Sequence, residues 1–218
     1  MSTDLPFGNH KQSQALLWNL EQRLLVRVVP KVPGFLNGVN LTLLSILWCV
    51  GTLVSYIMAP ANIHWLWLTC AGIVLQYCTD ALDGAVARYR NSGLIRWGYY
   101  MDHFLDFCFL VCIFIGLTYL APSQATLTTI LACGFVFVAF MVHSFLLARA
   151  TDEFHISFSK IGPTELRLFV LIINITIILI GPKVLTVIAP AFLVLSTLAL
   201  VTLVVRTQKR LFDLDRTR

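Results

Sequence analysis

Apolar runs long enough to cross a hydrocarbon core of about 30 Å as helices recur near 39–60, 64–84, 99–121, 125–148, 166–183 and 185–206. Short polar segments separate them, so the pattern predicts an all-α polytopic membrane protein with six transmembrane helices. Ahead of the first run, Ala15 to Val29 has another rhythm: Leu17, Trp18, Leu20, Leu24, Leu25 and Val28 are interleaved with Glu21, Arg23 and Arg27, and Pro30 and Pro33 end the segment. That is the pattern of an amphipathic helix in the cytoplasmic interface, with an ordinary cytoplasmic helix as the alternative. The expected division is a cytoplasmic N-terminal segment (1–36), a six-helix transmembrane domain (37–210) and a cytoplasmic tail (211–218), with no internal repeat or low-complexity tract.

Charge orients this arrangement. Every Lys and Arg except Lys183 falls on one side of a six-span chain, which puts both termini, the 85–98 loop and the 149–165 loop in the cytoplasm. With 58% hydrophobic and 12% charged residues in 218, the chain has too little polar surface for a soluble domain of that length. Its first long apolar run begins only near 39, so no cleaved leader is expected. The net charge of +5 is concentrated on the cytoplasmic face, where it favours anionic lipid headgroups; no nucleic-acid-binding motif accompanies it. Six cysteines lie within the apolar runs without a C-x-x-C pair and read as buried packing thiols.

Four aspartates break the apolar pattern. A carboxylate at mid-helix in a bilayer costs roughly 2.5–3.5 kcal/mol on insertion scales, so Asp80, Asp83, Asp102 and Asp106 are tolerable only facing a protein-lined cavity and neutralised there. Residues three or four apart share a helix face, so Asp80 pairs with Asp83 and Asp102 with Asp106, on neighbouring antiparallel helices whose polar connector turns at the cytoplasmic surface. A purely structural cluster would need basic partners, and the surrounding spans contain almost none. Hard oxygen ligands in that number suit Mg²⁺, Mn²⁺ or Ca²⁺, and four of them would hold two ions. Magnesium keeps positions for water and phosphate oxygens, which makes a phosphorylated substrate the natural completion. Gly84, Ala87 and Gly98 leave helix surface bare beside the acids, and Arg88 supplies a fixed cation for a diphosphate.

The run Asp80-x2-Asp83-Gly84-x2-Ala87-Arg88 followed by Gly98-x3-Asp102-x3-Asp106 resembles the signature of the CDP-alcohol phosphotransferases. All eight fixed positions match; the spacer between Arg88 and Gly98 has nine residues where eight are expected, a difference the loop absorbs. The resemblance implies a transfer that uses two Mg²⁺ or Mn²⁺ ions, moving a phosphoalcohol group from a CDP-linked donor to an alcohol or lipid acceptor and releasing CMP. It makes Asp80, Asp83 and Asp102 the main metal ligands and Asp106 a fourth ligand and the leading candidate for the base. Gly84, Ala87, Arg88 and Gly98 would line the nucleotide and phosphate site. Asn40 and Thr42 resemble the family's cytidine region, with Thr42 as a plain helix cap the alternative. Gly162-Pro163-Thr164-Glu165, preceded by His155 and Lys160, resembles a segment of choline and ethanolamine phosphotransferases and makes Glu165 and His155 candidates for acceptor or headgroup contact.

Several readings stay open at this level. His103 is a second candidate base, a helper toward the acceptor, or a polar residue of the bundle surface. Glu165 and Arg167 suit the charged start of the fifth span, and His143 suits a hydrogen-bonded packing role. An ion-coupled transporter also keeps intramembrane carboxylates, but no paired inverted halves are visible. A nonenzymatic assembly protein would leave the arginine, glycines and acids without a purpose. The compact six-span form resembles bacterial enzymes that use CDP-diacylglycerol with a polar alcohol; Asp102-His103 and the 162–165 segment lean toward CDP-choline or CDP-ethanolamine with diacylglycerol. A bacterial inner (plasma) membrane, a cytoplasmic active site and a homodimer are the matching expectations.

Overall fold

The computed structural model describes residues 18–92, 94–151 and 163–216, and among these it is helical with no strand. After α1 (Trp18–Val28) and a 3-10 turn at Val29–Lys31 come α2 (Gly38–Met58), α3 (Trp65–Tyr89), α4 (Ile95–Thr118), α5 (Gln124–Thr151), α6 (Pro163–Ile180) and α7 (Leu185–Arg216). Each of the six apolar runs coincides with one of the helices α2 to α7. Length and apolarity single out four of them as spans: α2, α4, α5 and the continuous Pro182–Arg216 segment. Helix α3 falls short of that standard because Gln76, Asp80 and Asp83 interrupt its apolar run. The apolar part of α6, Leu166–Ile180, is shorter than a full crossing.

Helix α2 is the organiser, packing on both α3 and α4, whose backbones stay further from each other and meet through side chains. Small residues set this closeness. A Cβ on Gly38 would meet Ala87 Cβ of α3 at 2.9 Å, one on Gly72 would meet Thr52 Oγ1 at 2.5 Å, and one on Gly116 of α4 would run into the Tyr56 ring. The apolar core then closes around Tyr56, Leu66, Ile73, Ile113, Ile177 and Leu185. Helix α6 packs on α3, and α5 on α4 and α7. Phe192 of α7 stacks between Phe169 of α6 and Phe137 of α5, at ring separations of 4.7 and 5.5 Å. Tyr56 donates to Asn174 Oδ1 at 3.0 Å, satisfying a hydroxyl with no access to water.

At the other end, Leu25 and Val29 bury against Leu41, Ala85 and Val86. Part of the apolar face of α1 therefore docks on protein, while Leu24 and Val28 remain exposed. Residues 15–17 of the segment expected to form this helix lie outside the described residues. Arg90 fastens the entry to α2, its guanidinium donating to the carbonyls of Val32 at 2.6 Å and Leu36 at 2.9 Å. Just past the end of α3, Asn91 has a positive φ of 55°, the left-handed geometry asparagine tolerates, and Ser92 N–H returns to the Ala87 carbonyl at 3.0 Å.

Candidate active site

The wedge of α2 leaves the facing sides of α3 and α4 apart, and the four aspartates lie between them. Gln76 Nε2 approaches Asp106 Oδ1 at 3.3 Å, and Asp102 stands against Asp80 and within electrostatic reach of Asp83 and Asp106. Arg88, near the α3 C-terminus, has Asp83 and Asp102 as its charged neighbours. Contacts thus run from 76 with 106 to 88 with 102, the order of two antiparallel helices.

Each side chain has a local reason for its place. Asp83 is 8% exposed, and one oxygen accepts the Thr42 hydroxyl at 2.6 Å while the other accepts the N–H of Gly84. Thr42 is therefore not a cap. Asn37 caps α2, accepting from Asn40 N–H at 2.8 Å, and the hydroxyl of Thr42 lies a turn later, 2.9 Å from the Gly38 carbonyl as well as on Asp83. The Asn40 amide donates to the Phe35 carbonyl at 2.6 Å, so Asn40 braces the approach to α2 and is exposed. Arg88 folds back over Gly84, where an added Cβ would stand 3.2 Å from its Nη1. Ala87 meets Gly38, and Gly98 has open space where a side chain would be.

His103 reaches the edge of the cluster but not its centre. Its Nδ1 lies 2.8 Å from the Tyr99 carbonyl and 3.4 Å from Asp102 Oδ2. The ring sits against Tyr99 at 4.4 Å and Phe145 at 5.7 Å. His143 makes a 3.4 Å contact with Thr207, as a packing histidine would. Glu165 belongs to the first turn of α6, which opens with Pro163; the side chain of Glu165, like all of His155, Lys160 and Gly162, lies outside the described residues.

Two residues join the site that the motif does not contain. Arg167 Nη2 donates to Asp80 Oδ2 and to Asp106 Oδ1, at 2.8 Å each. The expectation that the aspartates lack basic partners is corrected here: α6 delivers a cation to two of the four. A lone arginine within Leu166-Arg167-Leu168-Phe169 was the available signal, masked by its position at a helix start. Gln76 is the other, a buried amide one turn before Asp80 whose Oε1 has no hydrogen-bond partner.

Residues 38–206 match the family model described as CDP-alcohol phosphatidyltransferase. The chain belongs to the CDP-alcohol phosphatidyltransferase family. This is a family of transferases of phospholipid synthesis that use a CDP-alcohol donor and an alcohol or lipid acceptor and generally depend on a divalent metal. Membership together with four helices apolar enough to cross a bilayer makes the chain an integral membrane protein, and a transporter is not favoured. No curated protein matches the chain. The matched segment contains α2 to α6, hence all four aspartates, Arg88 and Arg167.

The donor set of this family member fits a hard divalent cation: carboxylate oxygens from two facing helices, with the unpartnered amide oxygen of Gln76 beside them. Among the described residues no three His, Cys, Asp or Glu side chains stand close enough to hold a metal as they are arranged. Arg167 takes the position between Asp80 and Asp106.

Proposed function

We propose that this protein transfers a phosphatidyl group from a CDP-linked lipid donor, CDP-diacylglycerol, to the hydroxyl of a polar alcohol and releases CMP. The observation that carries the reading is the convergence of Asp80, Asp83, Asp102 and Asp106 between two helices, with Arg88 beside Asp83 and Asp102. Asp80, Asp83, Asp102 and Asp106 would hold two Mg²⁺ or Mn²⁺ ions, which when bound supply charge neutralisation to the diphosphate. Thr42 and the Gly84 N–H orient Asp83, leaving it one fixed geometry. Arg88, folded over Gly84, pairs with the diphosphate, and the bare surface at Gly98 lets the nucleotide approach the backbone. The acceptor oxygen forms a bond to the lipid-side phosphorus as the bond from that phosphorus to CMP breaks, and Asp106 takes the acceptor proton. His103, on the rim between Tyr99 and Phe145, faces the acceptor side in this reading.

This reading completes six spans. With the acids of α3 turned inward against α2 and α6, α3 and α6 cross the bilayer beside the four apolar helices, the basic loops and the site facing the cytoplasm. A homodimer in a bacterial inner membrane accompanies it. A choline or ethanolamine phosphotransferase is the second reading, motivated by His103 lying 3.4 Å from Asp102. The deciding experiment measures CMP release by the purified protein in lipid, with Mg²⁺ or Mn²⁺ and then EDTA, across CDP-diacylglycerol, CDP-choline and CDP-ethanolamine with matched acceptors. CMP release from CDP-diacylglycerol that stops in EDTA is expected. Release from CDP-choline or CDP-ethanolamine alone transfers the assignment to the second reading, and metal-independent or absent release with every donor overturns both.

A further inference from the structure

Arg167 reaches the carboxylates with a single nitrogen, Nη2, placed 2.8 Å from oxygens of both Asp80 and Asp106. One cationic nitrogen bridges an acid of α3 and an acid of α4, two of the four residues that would hold the metal. The Asp80 arm of the contact is not a rim ion pair, since the Arg167 side chain is 12% exposed and that of Asp80 19%; the Asp106 arm, with that side chain at 31%, is more open to water. On its other side the guanidinium faces the Tyr77 ring at 5.6 Å, and the Tyr77 hydroxyl donates to Glu21 Oε2 of α1 at 2.9 Å. The arginine thus holds an aromatic contact at the same time as the two carboxylates, one that does not depend on them.

We propose that Arg167 is an internal counter-cation that competes with the divalent metal for Asp80 and Asp106, tying α6 to α3 and α4 until the metal displaces it. The inference rests on the metal reading above. Before loading, the guanidinium neutralises the two acids and prevents their mutual repulsion from opening the bundle. On loading, the guanidinium would release Asp80 and Asp106, two of the residues that would hold the metal, and keep its contact with the Tyr77 ring. Observed metal affinity is then the intrinsic affinity reduced by the fraction of molecules in which Arg167 holds the site. Arg167 also becomes a positive group at the site's edge once the metal is in place.

The test uses the full-length protein in lipid nanodiscs and Mn²⁺ alone, with no nucleotide, following free Mn²⁺ by electron paramagnetic resonance in the wild type and in Arg167→Gln. The variant is expected to bind Mn²⁺ about tenfold tighter, equivalent to roughly 1.4 kcal/mol. Its melting temperature in EDTA should fall below that of the wild type, and saturating Mn²⁺ should close the gap. Equal or weaker Mn²⁺ binding by Arg167→Gln beside saturable binding by the wild type overturns the competition and leaves the metal site standing. Absence of saturable Mn²⁺ binding by the wild type overturns the competition and the metal reading together. A measurement on the wild type guards against a variant that fails to fold: phenylglyoxal labelling of Arg167, read by mass spectrometry, should rise when Mn²⁺ is added, and unchanged labelling overturns the proposal.

Discussion

Helices α3 and α7 are both long enough to cross a bilayer, yet they carry opposite patterns. On α3 polar side chains are buried alongside Leu66 and Ile73, Gln76 at 1% exposure and Asp83 at 8%, while Trp67, Leu68 and Val74 point outward. On α7 the outward face is apolar, with Val187, Leu195 and Leu198 exposed, and few of its residues are buried. In a bilayer the outside is as apolar as a protein core, so a helix needs no hydrophobic inner face; it needs inward partners for whatever polar groups it has. Helix α3 has them in Thr42, Arg167 and the acids of α4. Helix α7 is held by shape, through Phe192 between Phe137 and Phe169.

The sharpest way to break this contrast is to change one polar group at the α3–α4 seam. Asp106→Asn preserves shape and should lower CMP release by about 10²–10⁴-fold; near-normal turnover would sink Asp106 as the base. Moving a carboxylate to α7 is the reciprocal experiment. Leu198→Asp should cost roughly 2.5–3.5 kcal/mol on insertion scales and reduce the membrane-integrated fraction in an alkali-extraction assay. Full integration would mean that another protein surface, such as a second copy, covers this face. Thr42→Val removes only the hydroxyl that orients Asp83, and about 10–100-fold weaker Mn²⁺ binding is expected. Binding equal to wild type would show that Gly84 N–H orients Asp83 alone. Smallest of all, Leu195→Ala on the exposed face of α7 should shift stability by no more than about 0.5 kcal/mol in a reversible unfolding assay, a larger loss again pointing to a covered face.

The helices of the bundle were legible because a bilayer demands long apolar runs and forbids unpaired backbone, and these signals survive in one dimension. The aspartate pairs were legible for the opposite reason, as local violations of that rule at helical spacing. The partners of those acids were not. Thr42 is 41 residues from Asp83 and Arg167 is 87 from Asp80, so no local period announces either contact. Arg167 was disguised further, since a basic residue near a helix start on the cytoplasmic side reads as topology signal. Thr42 was disguised by resembling a cap, a role Asn37 holds.

Sequence alone determined that the chain is a helical membrane protein, which residues make the acidic cluster and which family the cluster resembles, because each is a property of composition or of spacing within one helix. Tertiary structure decided that α2 separates α3 from α4, through close approaches at Gly38, Gly72 and Gly116, and that a cation from α6 sits between Asp80 and Asp106. Those depend on how helices far apart in sequence dock, which is set by side-chain shape and by where each buried charge finds an opposite one.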